Sequence, residues 1–96
     1  MELIKLHEAY NLVDVKDNWM TGGTVTKEVD GTVNININTT LKAASSEESN
    51  QWGTAYYQRS AEGKVMTSYS FEGAYQAEYV NYCEEIFAAI LEQIEK

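Results

Sequence analysis

Residues 31–41 read GTVNININTTL, and the reading of this stretch decides the fold. Val33, Ile35 and Ile37 alternate with Asn34, Asn36 and Asn38. Successive side chains of a strand point to opposite faces, so the apolar trio makes one face and the amides the other. The apolar half reads as a core face. The other half is unusual, because Asn is depleted in strands and a solvated strand face more often carries Lys, Glu and Thr.

Just before this strand lies Asp30-Gly31, a strong hairpin signal. A two-residue turn would mix apolar and polar side chains on both faces. A three-residue loop, Val29-Asp30-Gly31 with Gly31 left-handed, pairs Glu28 with Thr32. Val25 then faces Ile35, Lys27 faces Val33, Thr26 faces Asn34 and Thr24 faces Asn36. One face becomes apolar and the other polar, which selects this register.

A second hairpin surrounds Ser60-Ala61-Glu62-Gly63. Pairing Ser60 with Lys64 sets Tyr57 opposite Thr67, Ala55 opposite Tyr69 and Arg59 opposite Val65. Ala55, Tyr57, Val65, Tyr69 and Phe71 make the expected core side. Thr54, Tyr56, Gln58, Met66, Ser68 and Ser70 make the other, with Trp52 at its end. The polar stretch SSEESNQ, residues 45–51, reads as the loop between the two hairpins.

Residues 74–95, AYQAEYVNYCEEIFAAILEQIE, predict a long helix. Its apolar arc includes Tyr75, Tyr79, Tyr82, Cys83, Ile86, Phe87, Ile90 and Ile94. That is about half the circumference, wider than the ~100° stripe of an ordinary surface helix. One sheet is not expected to cover it all, which leaves room for the N-terminal segment or a second subunit. Tyr75 and Tyr82 are expected at the rim with hydroxyls in water. Glu78, Glu85 and Glu92 recur every seven residues on the opposite side.

In the first twenty residues, LVDV and the lack of an N-cap favour a strand over 11–16. Residues 2–9 would extend it or form a short helix. Residues 18–23, NWMTGG, read as a loop. The expected fold is α+β: an antiparallel meander of four to five strands with one long C-terminal helix packed on its apolar face, as a single domain over 1–96.

Fifteen acids stand against seven bases, for a net charge of −8. Such a balance argues against duplex nucleic acid, whose phosphates need clustered Lys and Arg, and against anionic membranes. No apolar run approaches the roughly 20 residues of a membrane span. The opening MELIKLHEAY shows no secretory signal, and the single Cys83 fits a reducing cytoplasm. The Asn, Thr and Ser bias without proline suggests a bacterial or phage source.

Few residues here carry chemistry. One His and one Cys cannot build a structural zinc site, and Asp14, Asp17 and Asn18 lack the remaining ligands of a calcium loop. They read as a cap or turn. His7 has no marked nucleophile beside it, and Cys83 lies in the apolar arc, where a buried inert thiol is expected. Neither catalytic residues, nor a cofactor, nor a metal are expected.

The nearly charge-free face remains. Thr, Asn, Ser and Tyr together are what adaptable contact surfaces use. The candidate binding residues are Asn34, Asn36, Asn38, Trp52, Tyr56 and Met66. The leading expectation is a small acidic non-enzymatic interaction protein. Its charge-free face, or its wide helix arc, would form a homodimer or dock a protein partner. One alternative is single-stranded nucleic-acid binding. Strands bearing Trp52 and Tyr56, followed by a helix, resemble the Whirly group in architecture, which implies base stacking on aromatics. That reading lacks a basic groove, since Arg59 and Lys64 are the only close basic pair in the second hairpin. Another alternative is an acidic inhibitor that imitates nucleic acid. Glu78, Glu85 and Glu92 would then present negative charge at intervals of about 10.5 Å.

Overall fold

A computed structural model describes residues 7–43, 47, 49–72 and 76–95. Five strands follow in order: β1 (His7–Lys16), β2 (Trp19–Glu28), β3 (Val33–Leu41), β4 (Gln51–Arg59) and β5 (Val65–Phe71). The helix α1 (Gln76–Ile94) comes last. Each strand pairs antiparallel with the next, and the spatial order β1-β2-β3-β4-β5 is the chain order. The chain is therefore an α+β meander with one covered face.

Both expected hairpin registers are present. Glu28 N–H donates to the Thr32 carbonyl at 2.8 Å, and Gly31 takes φ 97°. Asp30 accepts a bond from the Thr32 amide at 2.9 Å, which holds its carboxyl below the usual range. Val25 pairs with Ile35 and Thr24 with Asn36. In the other hairpin Ser60 N–H donates to the Lys64 carbonyl at 2.8 Å, and Tyr57 pairs with Thr67.

The N-terminal region departs from expectation. Residues 18–23 do not form a loop. Lys16 pairs with Trp19 across a two-residue turn, Asp17-Asn18, and β2 starts at Trp19. Asp17 takes φ 54°, a left-handed conformation that Asp and Asn tolerate better than most residues. Tyr10 and Val13 pair with β2 as strand, and β1 reaches back to His7. Residues 2–6, Ser45, Ser46, Glu48 and Tyr75 lie outside the described residues.

The covered face holds the core. Val25, Val33, Ile35, Ile37, Ala55, Tyr57 and Phe71 of the sheet are buried against Tyr79, Tyr82, Cys83, Ile86, Phe87 and Ile90 of α1. The sheet buries the middle of the wide arc, where aromatic groups fill its breadth. Trp19 stacks on Tyr79 and Tyr82 at 5.9 and 5.2 Å, and Phe71 stacks on Tyr79 at 5.0 Å. Among the described residues of the arc, Val80, Leu91 and Ile94 stay half-buried, so one sheet does not cover all of it. Val65 faces the same side but, on the edge strand β5, remains exposed, so it is not core.

Gly53 explains how the Tyr79 ring sits so deep. A Cβ at Gly53 would fall 2.7 Å from Tyr79 Cζ, so the ring lies in the space a side chain would take. Three of the seven bases pin α1 from the sheet. Lys27 Nζ donates to the Ile94 carbonyl at 3.2 Å, at the helix end where a cation is favoured. Lys16 pairs with Glu85 at 3.2 Å, and Arg59 pairs with Glu95.

The open sheet face as a candidate interaction surface

The registers stack the open face into rows that run across the strands. Asn11, Thr24, Asn36, Tyr56 and Ser68 form one row. Val13, Gly22, Asn38, Thr54 and Ser70 form the next on one side, and Ala9, Thr26, Asn34, Gln58 and Met66 the next on the other. A last row holds Val15, Met20, Thr40 and Trp52. Within the strands, the charged residue described on this face is Glu28, at one end.

Asn34, Asn36, Asn38 and Tyr56 come together as expected. The Tyr56 hydroxyl donates to Asn34 Oδ1 at 2.9 Å. Asn36 and Asn38 are exposed. With Thr54, Tyr56, Ser68 and Ser70 they line a shallow hollow of about 520 Å³. Its groups are amides and hydroxyls, which donate and accept hydrogen bonds alike. Trp52 and Met66 are not part of that cluster. They are 60% and 66% exposed at opposite ends of the face. Six residues of β4 separate their rows, about 20 Å of strand.

Sequence reasoning missed the contribution of β1. Val13 and Val15 are 81% and 66% exposed, and together with Met20 they add an apolar corner at the same end of the face as Trp52, with Thr40 between. The signal was present: Asp17-Asn18 is a turn dipeptide, and Val13 and Val15 alternate with Leu12 and Asp14 before it.

The other face contains a buried polar chain. Tyr82 donates to Asp14 Oδ2 at 2.8 Å, lies 2.7 Å from Thr21 Oγ1, and Thr21 lies 2.9 Å from Thr39. Tyr82 is thus no rim residue; its hydroxyl ends inside the protein on Asp14 and Thr21. Burial, then the Asp14 carboxylate, pushes its pKa up to about 12, against the opposing Thr21 bond. Tyr79 has its hydroxyl buried with no partner in good hydrogen-bond geometry among the described residues, and burial raises its pKa against the opposing effect of nearby Thr39. Cys83 is buried, and its thiol is pushed up to about 11 by that burial. A thiol so raised is a poor nucleophile at neutral pH.

Glu78, Glu85 and Glu92 are exposed on α1, but Lys16 neutralises the middle of the row. Among the described residues no three His, Cys, Asp or Glu side chains gather as a metal site. Also among them, no helix is long and apolar enough to cross a membrane. The chain matches no family model, no curated protein and no solved structure.

Proposed function

We propose that this chain is a non-enzymatic association protein whose open sheet face packs against the open face of a second copy. The observation that supports this most is the alignment of amides and hydroxyls in adjoining rows over five strands. A charged face repels its own copy. An amide–hydroxyl face is self-complementary, because each group offers both a donor and an acceptor.

Charge and area favour the same partner. The acids of α1, Glu78, Glu84, Glu85 and Glu92, lie behind the covered face, so stacking two open faces leaves that acidic layer outside, with Glu72 at the rim beside Trp52. Two sheets packed at ~10 Å with a helix behind each keep those layers roughly 30 Å apart, beyond the Debye length at physiological salt. Five strands at ~4.8 Å spacing and about 25 Å of length offer about 600 Å² per copy. The total, about 1,200 Å², reaches the lower end of stable interfaces. Trp52 and the Val13–Val15–Met20 corner supply apolar anchors, and Tyr56 a rigid amphipathic one.

Light scattering on the wild type and Asn36→Lys tests the reading. The wild type should show an assembly whose mass is insensitive to salt, and Asn36→Lys should halve that mass while leaving the melting temperature unchanged. Equal masses for the two proteins would refute it.

A further inference from the structure

β1 lies at one edge of the sheet, with β2 as its neighbour on one side. The direction of its outer groups follows from the hydrogen bonds. The bonds Glu28 N–H to Thr32 O and Lys42 N–H to Asn18 O bracket the β2–β3 pair, so even-numbered residues of β2 bond to β3. Odd-numbered residues of β2 therefore bond to β1, and their partners there are Tyr10, Leu12 and Asp14. The N–H and C=O groups of Ala9, Asn11, Val13 and Val15 point off the sheet.

Long exposed edges are normally blunted by a bulge, a proline, a short length or inward-pointing charge, and of these β1 carries inward charge of both signs, Glu8, Asp14 and Lys16. β1 runs for 10 residues in unbroken register, the chain has no proline, and Val13 and Val15 stand exposed beside the edge. Its inner side touches α1 through Asp14–Tyr82 and Lys16–Glu85 but is not filled. Between β1 and α1 lie two hollows of about 560 and 500 Å³, so another strand can arrive without displacing the helix.

We infer that two copies join β1 to β1, antiparallel about a two-fold axis at Leu12, into one continuous sheet. Charge selects the occupant and the register. With Leu12 opposite Leu12 of the second copy, Glu8 faces Lys16 of that copy, Tyr10 faces Asp14, and each contact occurs twice. Sliding by two residues one way sets Glu8 against Asp14; sliding the other way sets it against Asn18. A slide by one residue would join the covered face to the open face. The facing pairs Glu8–Lys16 and Leu12–Leu12 fall at non-hydrogen-bonded positions, where side chains approach most closely. Lys16 keeps Glu85, since its ammonium has three donors. β5, the other edge, is 7 residues long and uncharged, so it offers no such complement. The interface is separate from the open face. Both open faces lie on the same side of the joined sheet and stay free.

Cysteine scanning tests the register. Leu12→Cys places two thiols on Cα atoms ~4.5 Å apart across the axis, within disulfide range. It should oxidise to a covalent dimer with an unchanged circular dichroism spectrum, in the Asn36→Lys background as well. Val13→Cys, far more exposed, should cross-link less. Cross-linking that follows exposure instead, with Val13→Cys above Leu12→Cys, would overturn the inference. A charge swap adds a second readout. Glu8→Lys and Lys16→Glu should each raise the dimer Kd about tenfold through two symmetric pairs, and the double variant should restore it. Absence of restoration, or a mass that grows with concentration without plateau as in head-to-tail β1–β5 pairing, would also refute it.

Discussion

Trp19 and Trp52 stand at the same end of the sheet, one on each face. Trp19 lies under α1, stacked on Tyr79 and Tyr82 and tilted against Phe71 at 5.7 Å. Trp52 projects from the opposite face beside Thr40 and is mostly exposed. The same five strands thus carry two chemistries. On the covered side most of these polar groups, the Tyr79 hydroxyl excepted, find partners within the chain: Thr39, Thr21, Tyr82 and Asp14 form one chain of bonds, and Lys16, Lys27 and Arg59 hold the helix. On the open side, apart from the Tyr56–Asn34 bond, the amides and hydroxyls point outward. The contrast teaches that stability resides in the covered face, while the open face is free to be tuned for contact.

The sharpest way to break this contrast is to remove a large side chain from each side. Tyr79→Ala should cost about 3–5 kcal/mol in urea unfolding, as for other large buried aromatics. Asn36→Ala should stay within about 0.5 kcal/mol. Comparable losses at the two positions would undo the division of roles.

A smaller loss should follow from filling the space beneath the ring. Gly53→Ala drives a methyl into Tyr79, and overpacking of this kind costs about 1–3 kcal/mol. Combining it with Tyr79→Ala should recover part of the cost, since the obstructing ring is gone. A thermal-melt double-mutant cycle would show strictly additive effects if the two residues were not in contact.

The two buried tyrosine hydroxyls should respond differently. Tyr82→Phe removes the link between Asp14 and Thr21 and should cost about 1–2 kcal/mol. Tyr79→Phe removes a hydroxyl with no partner in good geometry among the described residues and should leave stability unchanged or slightly raised. Equal losses measured by urea unfolding would mean the Tyr79 hydroxyl is satisfied.

The covered face should also set the alkaline limit. Cys83 and Tyr82 hold their protons to about 11 and 12 when folded, against ordinary values of 9.0 and 10.0. The unfolded chain releases these protons first, so stability is intact below about pH 9 and falls as pH rises through 9 to 12. Urea midpoints measured across that range should decline, and Tyr82→Phe should flatten the upper part of the decline.

Much of this architecture was legible. The alternation of Val33, Ile35 and Ile37 with asparagine, and the glycines at 31 and 63, specified strands, turns and registers through local rules. The path of the chain before Thr24 was not, because Leu6, Tyr10 and Val13 suit a helix while Val13 and Val15 suit a strand. Only pairing with β2 decides between them. The amides of the open face are legible in the sequence, whereas their β1 neighbours hinge on reading Asp17-Asn18 as a tight turn and not 18–23 as a loop. The Asp14–Tyr82 bond was equally hidden, because it joins residues 68 positions apart. Tyr79 over Gly53 likewise joins a helix to a strand that shares no local pattern with it.

Trp52 offers the most direct test of what covers the open face. In a Trp19→Phe variant it is the only tryptophan, so acrylamide quenching of its fluorescence reports on that face alone. Quenching should weaken as protein concentration rises and the second copy closes over the sheet, and Asn36→Lys should abolish the protection. Unchanged, fully accessible quenching from dilute to concentrated solution would contradict the account.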